Sequence, residues 1–316
     1  MRLPVHRHDG EVAIRDRDAR RMGFFTDTTV CIGCKACEVA CKQWNDLPSD
    51  GASFRRGGSY DHTAELGAAT WRHVRFVEVA GPPAGGGGRR PDLVGGAQDG
   101  GAAPDIDRWV FMSDVCKHCT NAGCLDACPT GALIRTEFGT VIVQPDVCNG
   151  CGYCIPACPF GVIDRDHEDG RAAKCTLCYD RLEDGLEPAC AKACPTDSIQ
   201  FGPHDELVAL AQRRVARLHE QGVEGAYLYG AGDPPERALA GGLGAFFLLT
   251  EPPERFGLPA NAESPIQDNI VPATAAAVGA GLLAAAAVAA AFVVPELTRE
   301  VLAGRARALR RRRRAW

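Results

Sequence analysis

Cysteine is the residue type that offers chemistry in this 316-residue sequence, which contains sixteen cysteines. They form four groups of four, and the first and third groups share the spacing C-x2-C-x2-C-x3-C. The second group has the spacing C-x2-C-x4-C-x3-C-P, and the fourth has C-x2-C-x11-C-x3-C-P. In chain order the groups are Cys31, Cys34, Cys37 and Cys41; Cys116, Cys119, Cys124 and Cys128; Cys148, Cys151, Cys154 and Cys158; and Cys175, Cys178, Cys190 and Cys194.

This spacing is typical of iron–sulfur ligation. Three thiolates on a tight loop can bind three corners of an iron–sulfur cube, whereas the fourth, three residues on, points towards a different cluster. Gly33, Gly150 and Gly152 lie inside these loops, where they allow tight dihedral angles and a close approach of the backbone. The pattern therefore predicts four [4Fe–4S] clusters.

Two other uses of cysteine compete with this interpretation. Structural zinc can take four thiolates, usually from two separated C-x2-C pairs, and only the fourth group looks like that. Disulfides would suit a domain outside the cytoplasm, but C-x2-C-x2-C triplets do not match ordinary bridges. Metal analysis distinguishes all three.

Composition and charge exclude several classes of protein. With 46% hydrophobic residues the chain is too apolar to be disordered, and sixteen cysteines are too dilute for a small disulfide scaffold. The net charge is −5, but residues 295–316 carry eight Arg and two Glu, a net of +6, so the remainder carries −5 − 6 = −11. A body this acidic is a poor candidate for binding nucleic acid.

The sequence divides into segments. Residues 1–22 form a polar N-terminal arm in which we find no export signal, and residues 23–202 form the cysteine-bearing domain. Within it, 81–104 contains nine Gly and four Pro and is predicted to be a flexible insertion. Four short apolar runs are predicted to form small strands. These runs are 132–134, 138–143, 162–163 and 198–201.

Residues 203–268 are predicted to form a surface helix and an extended return. Apolar residues recur at helical spacing over 205–221, with Asp205 at the N-cap position and Gly222 at the stop position. Residues 245–259 indicate a short strand followed by a Pro-rich return. No chemistry is expected from this segment.

Residues 270–294 are predicted to form a transmembrane helix, because no charged residue lies between Asp268 and Glu296. The alternative is a buried soluble helix, since half of residues 271–294 are Ala. The Arg-rich tail, 295–316, favours the membrane interpretation and places itself in the cytoplasm, with the cysteine domain on the other side. A helix so rich in Ala also suggests a membrane partner.

The cysteine motifs resemble a known family. The segments CIGCKACEVACKQWNDLP at 31–48, CGYCIPACPFGV at 151–162 and KCTLCYDRLEDGLEPACAKACPT at 174–196 are similar to the beta, iron–sulfur subunits of respiratory formate dehydrogenases. The resemblance covers about residues 23–295. It implies an α+β fold of two pseudo-symmetric ferredoxin-like lobes binding four [4Fe–4S] clusters, plus one C-terminal transmembrane helix.

The resemblance also implies which cysteines share a cluster, since groups one and four pair, as do groups two and three. The resulting four cysteine sets are numbered from here on. The first set is Cys31, Cys34, Cys37 and Cys194; the second is Cys175, Cys178, Cys190 and Cys41; the third is Cys116, Cys119, Cys124 and Cys158; the fourth is Cys148, Cys151, Cys154 and Cys128. The nitrate reductase relatives have Trp at one such position, but all sixteen positions are Cys here.

The implied function is an electron relay without a substrate site of its own. Electrons would pass from a molybdopterin (Mo or W) catalytic alpha subunit to a cytochrome b gamma subunit and quinone. The domain would be exported together with the catalytic subunit. His118 and the other seven His are expected to be structural or exposed, because each cluster already has four thiolates. The same relay in a membrane-bound hydrogenase or another molybdopterin oxidoreductase, and a soluble iron–sulfur carrier or sensor, stay open as alternatives.

Overall fold

A computed structural model describes residues 20–49, 65–80, 106–231 and 239–313. The predicted insertion 81–104 and residues 1–19 of the predicted arm lie outside the described residues. The chain divides into two units, the first ending at Ile266 and the second beginning at Gln267. Each unit is described by itself.

The first unit mixes short helices and strands, as an α+β fold requires. Its helices are α1 (Ala36–Trp44), α2 (Gly123–Asp126), α3 (Tyr179–Glu183), α4 (Ala189–Lys192) and α5 (His204–Glu220). Its strands are β1 (Met22–Asp27), β2 (Arg72–Ala80), β3 (Ile106–Val115), β4 (Leu133–Arg135), β5 (Val141–Val143), β6 (Asp164–Arg165), β7 (Ala172–Ala173), β8 (Ile199–Pro203), β9 (Tyr227–Tyr229) and β10 (Ala245–Leu249).

The largest sheet has the strand order β8-β1-β10-β9. Strand β1 pairs in parallel with β10 and antiparallel with β8. All five side chains of β10, AFFLL, are buried, as a continuous apolar run predicts for a strand covered on both faces. The rings of Phe25 and Phe246 stack with centroids 5.4 Å apart in the core beside this sheet.

The predicted surface helix is α5, which begins one residue early and ends one residue early. Its buried residues Leu207, Ala211 and Leu218 form its apolar face. The predicted N-cap, Asp205, is wrong: Pro203 occupies that position. Asp205 lies in the first turn, where the helix dipole stabilises a negative charge. Gly222 ends the helix with a φ of 85°, a left-handed conformation that favours glycine.

In the described residues, three further antiparallel strand pairs accompany the largest sheet: the long pair β2–β3 and the short pairs β4–β5 and β6–β7. Three of the four predicted runs contain strand residues, but only 141–143 of the run 138–143 is strand. The prediction for Val162 and Ile163 was wrong, since both are buried core residues immediately before β6. The predicted return after β10 contains a short 3₁₀ helix, Pro253–Phe256.

The second unit is one helix, α6 (Gln267–Arg313), which includes the apolar run. Residues Asn269–Phe292 are long and apolar enough to cross a membrane, at about 36 Å for 24 residues, and none of that window is buried within the chain. The helix continues to Arg313, so the described part of the Arg-rich tail is helical as well.

Candidate metal centres

The first and third cysteine sets each line a cavity. Cys31, Cys34, Cys37 and Cys194 surround about 290 Å³ of space that is partly open to solvent. Cys116, Cys119, Cys124 and Cys158 surround about 360 Å³ of similar space. In both cavities three cysteines come from one sequence group, and the fourth comes from a distant group. The structure therefore brings these two predicted sets together.

In the second and fourth sets the cysteines lie near enough to one another to affect each other's pKa. Burial raises the pKa of the Cys41 thiol well above its usual value, and nearby Cys175, Cys190 and Cys178 raise it further. Burial likewise raises the pKa of Cys154 to about 11, with Cys128, Cys148 and Cys151 adding to the rise. Each of the four predicted sets is thus a group of neighbours in space.

Left-handed backbone conformations allow sharp turns in the cysteine loops. Lys35, His118, Leu177 and Cys178 have positive φ angles, between 43° and 60°, which ordinary residues rarely adopt. The last cysteine of three groups then falls within or just after a short helix: Cys41 within α1, Cys128 after α2 and Cys194 after α4. This arrangement agrees with the expectation that the fourth thiolate points away from the other three of its group.

Gly150 shows why the loops need glycine. Its φ is 71°, and a Cβ placed on it would lie 2.6 Å from the carbonyl oxygen of Gly170, which is backbone and cannot rotate away. Gly33 and Gly152 also have positive φ, and there a Cβ would meet the ring of Phe111 and the guanidinium of Arg165 respectively. The tight dihedral angles predicted for these three glycines are confirmed, and at Gly150 the close approach is to backbone.

Replacing Gly150 with Ala is expected to destabilise the loop of the fourth set and lower its metal content. The matched control is Gly161→Ala: its φ is 62°, and a Cβ there meets no described atom within 4 Å. Both variants incur the left-handed penalty of about 1–2 kcal/mol, but only Gly150→Ala adds a collision with backbone. Anaerobic thermal unfolding and iron analysis measure the difference. Equal losses in the two variants would contradict the close-approach explanation.

Hydrogen-bond donors surround the cysteine sulfurs. Ser113 Oγ lies 3.1 Å from Cys37 Sγ, and the backbone N–H groups of Leu177 and Ala172 donate to Cys175 Sγ and Cys148 Sγ at 3.3 and 3.4 Å. Such donors stabilise anionic sulfur and tune the reduction potential of an iron–sulfur cluster. The donor set therefore suits thiolates better than neutral thiols.

Two buried cations also contact the sulfurs. Arg72 is 1% exposed, and its Nη2 donates to Cys190 Sγ at 3.2 Å. Lys174 is 2% exposed, and its Nζ lies 3.6 Å from Cys116 Sγ. Because an unpaired buried charge is costly, these cations fit sites that carry negative charge.

His118 supplies a further test of the fit. It is 2% exposed and lines the cavity of the third set, where its Nδ1 accepts the backbone N–H of Val141 at 3.1 Å. With Nδ1 acting as acceptor, Nε2 carries the proton, and it has no hydrogen-bond partner among the described residues. An N–H group left without a partner beside this cavity is well suited to an acceptor held there, such as a cluster sulfur.

Burial works against the thiolate form of the cysteines unless a metal is bound. Burial, followed by the charge of neighbouring sulfurs, raises the pKa of Cys119 and Cys175, and burial raises that of Cys37 and Cys124 to about 12. Coordination to a metal deprotonates a thiol outright, so bound iron would stabilise the thiolate form that burial disfavours. Among the described residues, no group of three or more His, Cys, Asp or Glu lies close enough together to hold a single metal ion.

The four sets follow one another in numerical order. Ser113 and Arg72 connect the first and second sets through the contacts with Cys37 and Cys190, and Ser113 O accepts from Arg72 Nη1 at 3.2 Å. Lys174 connects the second and third sets, since its Nζ donates to Cys175 O at 3.0 Å and approaches Cys116.

The third and fourth sets meet in one apolar cluster, in which Cys119, Cys124 and Cys158 of the third set pack beside Cys154 and Cys128 of the fourth. The four cysteines of the second set are buried, whereas Cys34 of the first set and Cys151 of the fourth are exposed. The series therefore has a buried interior and reaches the surface at both ends.

Comparison with known proteins agrees with this geometry. A family model described as a 4Fe-4S dicluster domain matches residues 107–204, and another with the same description matches residues 30–132. The formate dehydrogenase iron-sulfur subunit of Haemophilus influenzae is 40% identical over 267 residues, which cover 82% of this chain and 76% of that protein. The chain belongs to the formate dehydrogenase iron–sulfur subunit family.

The chain is also similar to two proteins of Escherichia coli. The iron-sulfur subunit of the nitrate-inducible formate dehydrogenase of Escherichia coli is 41% identical over 217 residues, 68% of this chain and 65% of that protein. One of the chains of the anaerobic dimethyl sulfoxide reductase of Escherichia coli is 36% identical over 185 residues, 58% of this chain and 75% of that protein. For this iron–sulfur subunit family member, [4Fe–4S] clusters are the cofactors that the matches support.

Sequence reasoning did not find Arg72, Lys174 or the buried state of His118. Lys174 directly precedes Cys175, so its position in the motif was a usable signal. Arg72 lies far from every cysteine group in the sequence, and only the fold brings it to Cys190. His118 was expected to be structural or exposed; it is buried and faces a candidate cluster cavity.

Proposed function

We propose that this chain is the electron-transfer subunit of a membrane-bound formate dehydrogenase complex. Its sixteen cysteines, in the four sets described, would hold four [4Fe–4S] clusters in two ferredoxin-like lobes. When bound, such clusters exchange electrons at potentials that their protein surroundings set. The protein contributes the thiolates that would bind the clusters, and the N–H donors and buried cations that would stabilise them.

The observation that carries the proposal is the serial order of the cysteine sets. Contacts lead from the first set through Arg72 to the second and through Lys174 to the third, and the third set shares an apolar cluster with the fourth. The exposed Cys34 and Cys151 give a partner access at either end. A series with two surface ends and a buried middle suits a relay between two partners, rather than a storage protein with one entrance.

The partners follow from the chemistry of such a relay. A molybdopterin catalytic subunit would supply electrons from formate at one end, and a cytochrome b membrane subunit would accept them and reduce quinone at the other. Helix α6 would anchor the chain as a single membrane span. The eight Arg that follow the apolar run favour a cytoplasmic tail and a cluster domain on the extracytoplasmic side.

A second candidate function is the same relay in another molybdopterin oxidoreductase. The similarity to part of a dimethyl sulfoxide reductase supports this alternative, although it covers a smaller share of this protein than the formate dehydrogenase relative does. A membrane-bound hydrogenase would use the same relay with hydrogen as the donor. The electron donor distinguishes the three.

The test is anaerobic purification of the whole complex in detergent, followed by analysis of metal, sulfide and reduction by substrate. We expect about sixteen iron and sixteen acid-labile sulfide for this chain, in addition to those of its partners. Formate is expected to produce the EPR signals of reduced clusters, whereas hydrogen is expected to leave the sample oxidised. A colourless preparation that contains zinc without iron or sulfide would disprove the proposal. Reduction by hydrogen alone would favour the hydrogenase alternative.

A further inference from the structure

Arg72 is a buried cation whose charge faces sulfur. On strand β2 its guanidinium donates to Cys190 Sγ at 3.2 Å and to Ser113 O at 3.2 Å, and it lies 4.7 Å from the centre of the Phe24 ring. An arginine side chain keeps its positive charge in proteins, even where it is buried. Arg72 therefore stays charged between the first and second sets.

Lys174 is in the corresponding position between the second and third sets. Its ammonium group donates to the backbone carbonyls of Val141 and Cys175 and approaches Cys116 Sγ at 3.6 Å. All three contacts are with acceptors, which suits the three donors of a charged ammonium group. Both cations thus face the second set, and each also faces one of its neighbours.

A fixed positive charge acts on the reduction of a nearby group in a known direction. Reduction adds negative charge, so a cation stabilises the reduced form and raises the reduction potential. The effect is strong where water is excluded, as it is around four buried cysteines. The fourth set has no contact with Arg72 or Lys174 among the described interactions, and its potential therefore serves as an internal reference.

On this basis, which rests on the proposed function, we propose that Arg72 and Lys174 are positioning residues for electron transfer. Arg72 raises the reduction potential at the second set, and to a smaller extent at the first. Lys174 raises it at the second and third sets. The interior of the series is thereby made the favoured place for an electron, and the fourth set is left unaffected.

The experiment is an EPR-monitored potentiometric titration of the detergent-purified complex, with wild type, Arg72→Gln and Lys174→Met compared. Each substitution removes the charge: Gln keeps a polar amide in place of the guanidinium, and Met keeps most of the length of Lys. For the most affected cluster, we expect the equilibrium constant for reduction to fall about tenfold, which is a lowering of about 59 mV for one electron. Arg20→Gln is the control, because Arg20 is exposed and pairs with Glu206. If the equilibrium constants for reduction stayed within about twofold of wild type at full iron content, the inference would be overturned.

A charge-keeping variant covers the case in which a neutral variant fails to assemble. Arg72→Lys retains the cation and loses the forked guanidinium. We expect this variant to keep its iron, and we expect the equilibrium constant for reduction of the affected cluster to stay within about threefold of wild type. A tenfold loss in Arg72→Lys would show that geometry, rather than charge, sets the potential. A failure of the proposed function is distinguishable, since wild type itself would then lack iron and sulfide.

Discussion

Aspartate at both Leu282 and Leu283 is expected to make this chain extractable from the membrane by carbonate, because its helix would no longer span the bilayer. The two residues lie near the middle of the window Asn269–Phe292 and are 67% and 74% exposed within the chain. An Asp at the centre of a spanning helix costs about 2.5–3.5 kcal/mol, and each lost Leu removes a small favourable contribution. The pair therefore costs roughly 5–8 kcal/mol, enough to change a membrane partition by a factor of about 10⁴ or more.

The matched control lies farther along the same helix. Val301 and Leu302 are 57% and 59% exposed, but they lie beyond the apolar window, in the Arg-rich part of α6. Aspartate at both of these positions is expected to leave the membrane fraction unchanged. Membrane flotation followed by carbonate extraction measures the outcome. If the Leu282 and Leu283 variant stayed as firmly membrane-bound as wild type, α6 would not be the anchor.

Predictability differs among the elements of the fold. Helix α5 and the apolar part of α6 follow from periodicity or from an uncharged run, and these are local properties of the sequence. Strands β1 and β2 were not predicted, because their pairing is non-local: β1 pairs with β8 and β10, which lie more than 170 residues away. In β2 the sequence begins Arg72-His73, two polar residues that are buried, and this hides the strand pattern.

The candidate site divides in the same way. The cysteine groups could be found from spacing, because iron–sulfur loops impose short fixed intervals on the chain. The neighbours that set the electrostatics of the sulfurs obey no such interval. Arg72 reaches Cys190, 118 residues away, because β2 and α4 both pack against α1. A ligand loop is thus legible in sequence, whereas the charges that tune it become visible only in three dimensions.

The serial order of the sets makes its own prediction. Cys119→Ala removes one thiolate from the third set, whose cavity the residue lines. We expect electron transfer from formate to quinone to fall to background, because the third set lies between the second and the fourth and the described contacts provide no second route around it. Dithionite, which reaches clusters from solution, is expected to reduce the remaining clusters as in wild type. Formate is expected to reduce only those on one side of the interruption.

The readout is freeze-quench EPR of the anaerobic complex after addition of formate, with dithionite as the reference. Thr120→Val is the control, because Thr120 is the next residue and its hydroxyl donates to Gly242 O rather than to a sulfur. That variant should transfer electrons to quinone at the wild-type rate, since it perturbs the same loop without removing a ligand. Reduction by formate of clusters on both sides in Cys119→Ala would mean that the sets are branched rather than serial. In that case the exposed cysteines of the first and fourth sets would be two entrances rather than the two ends of one path.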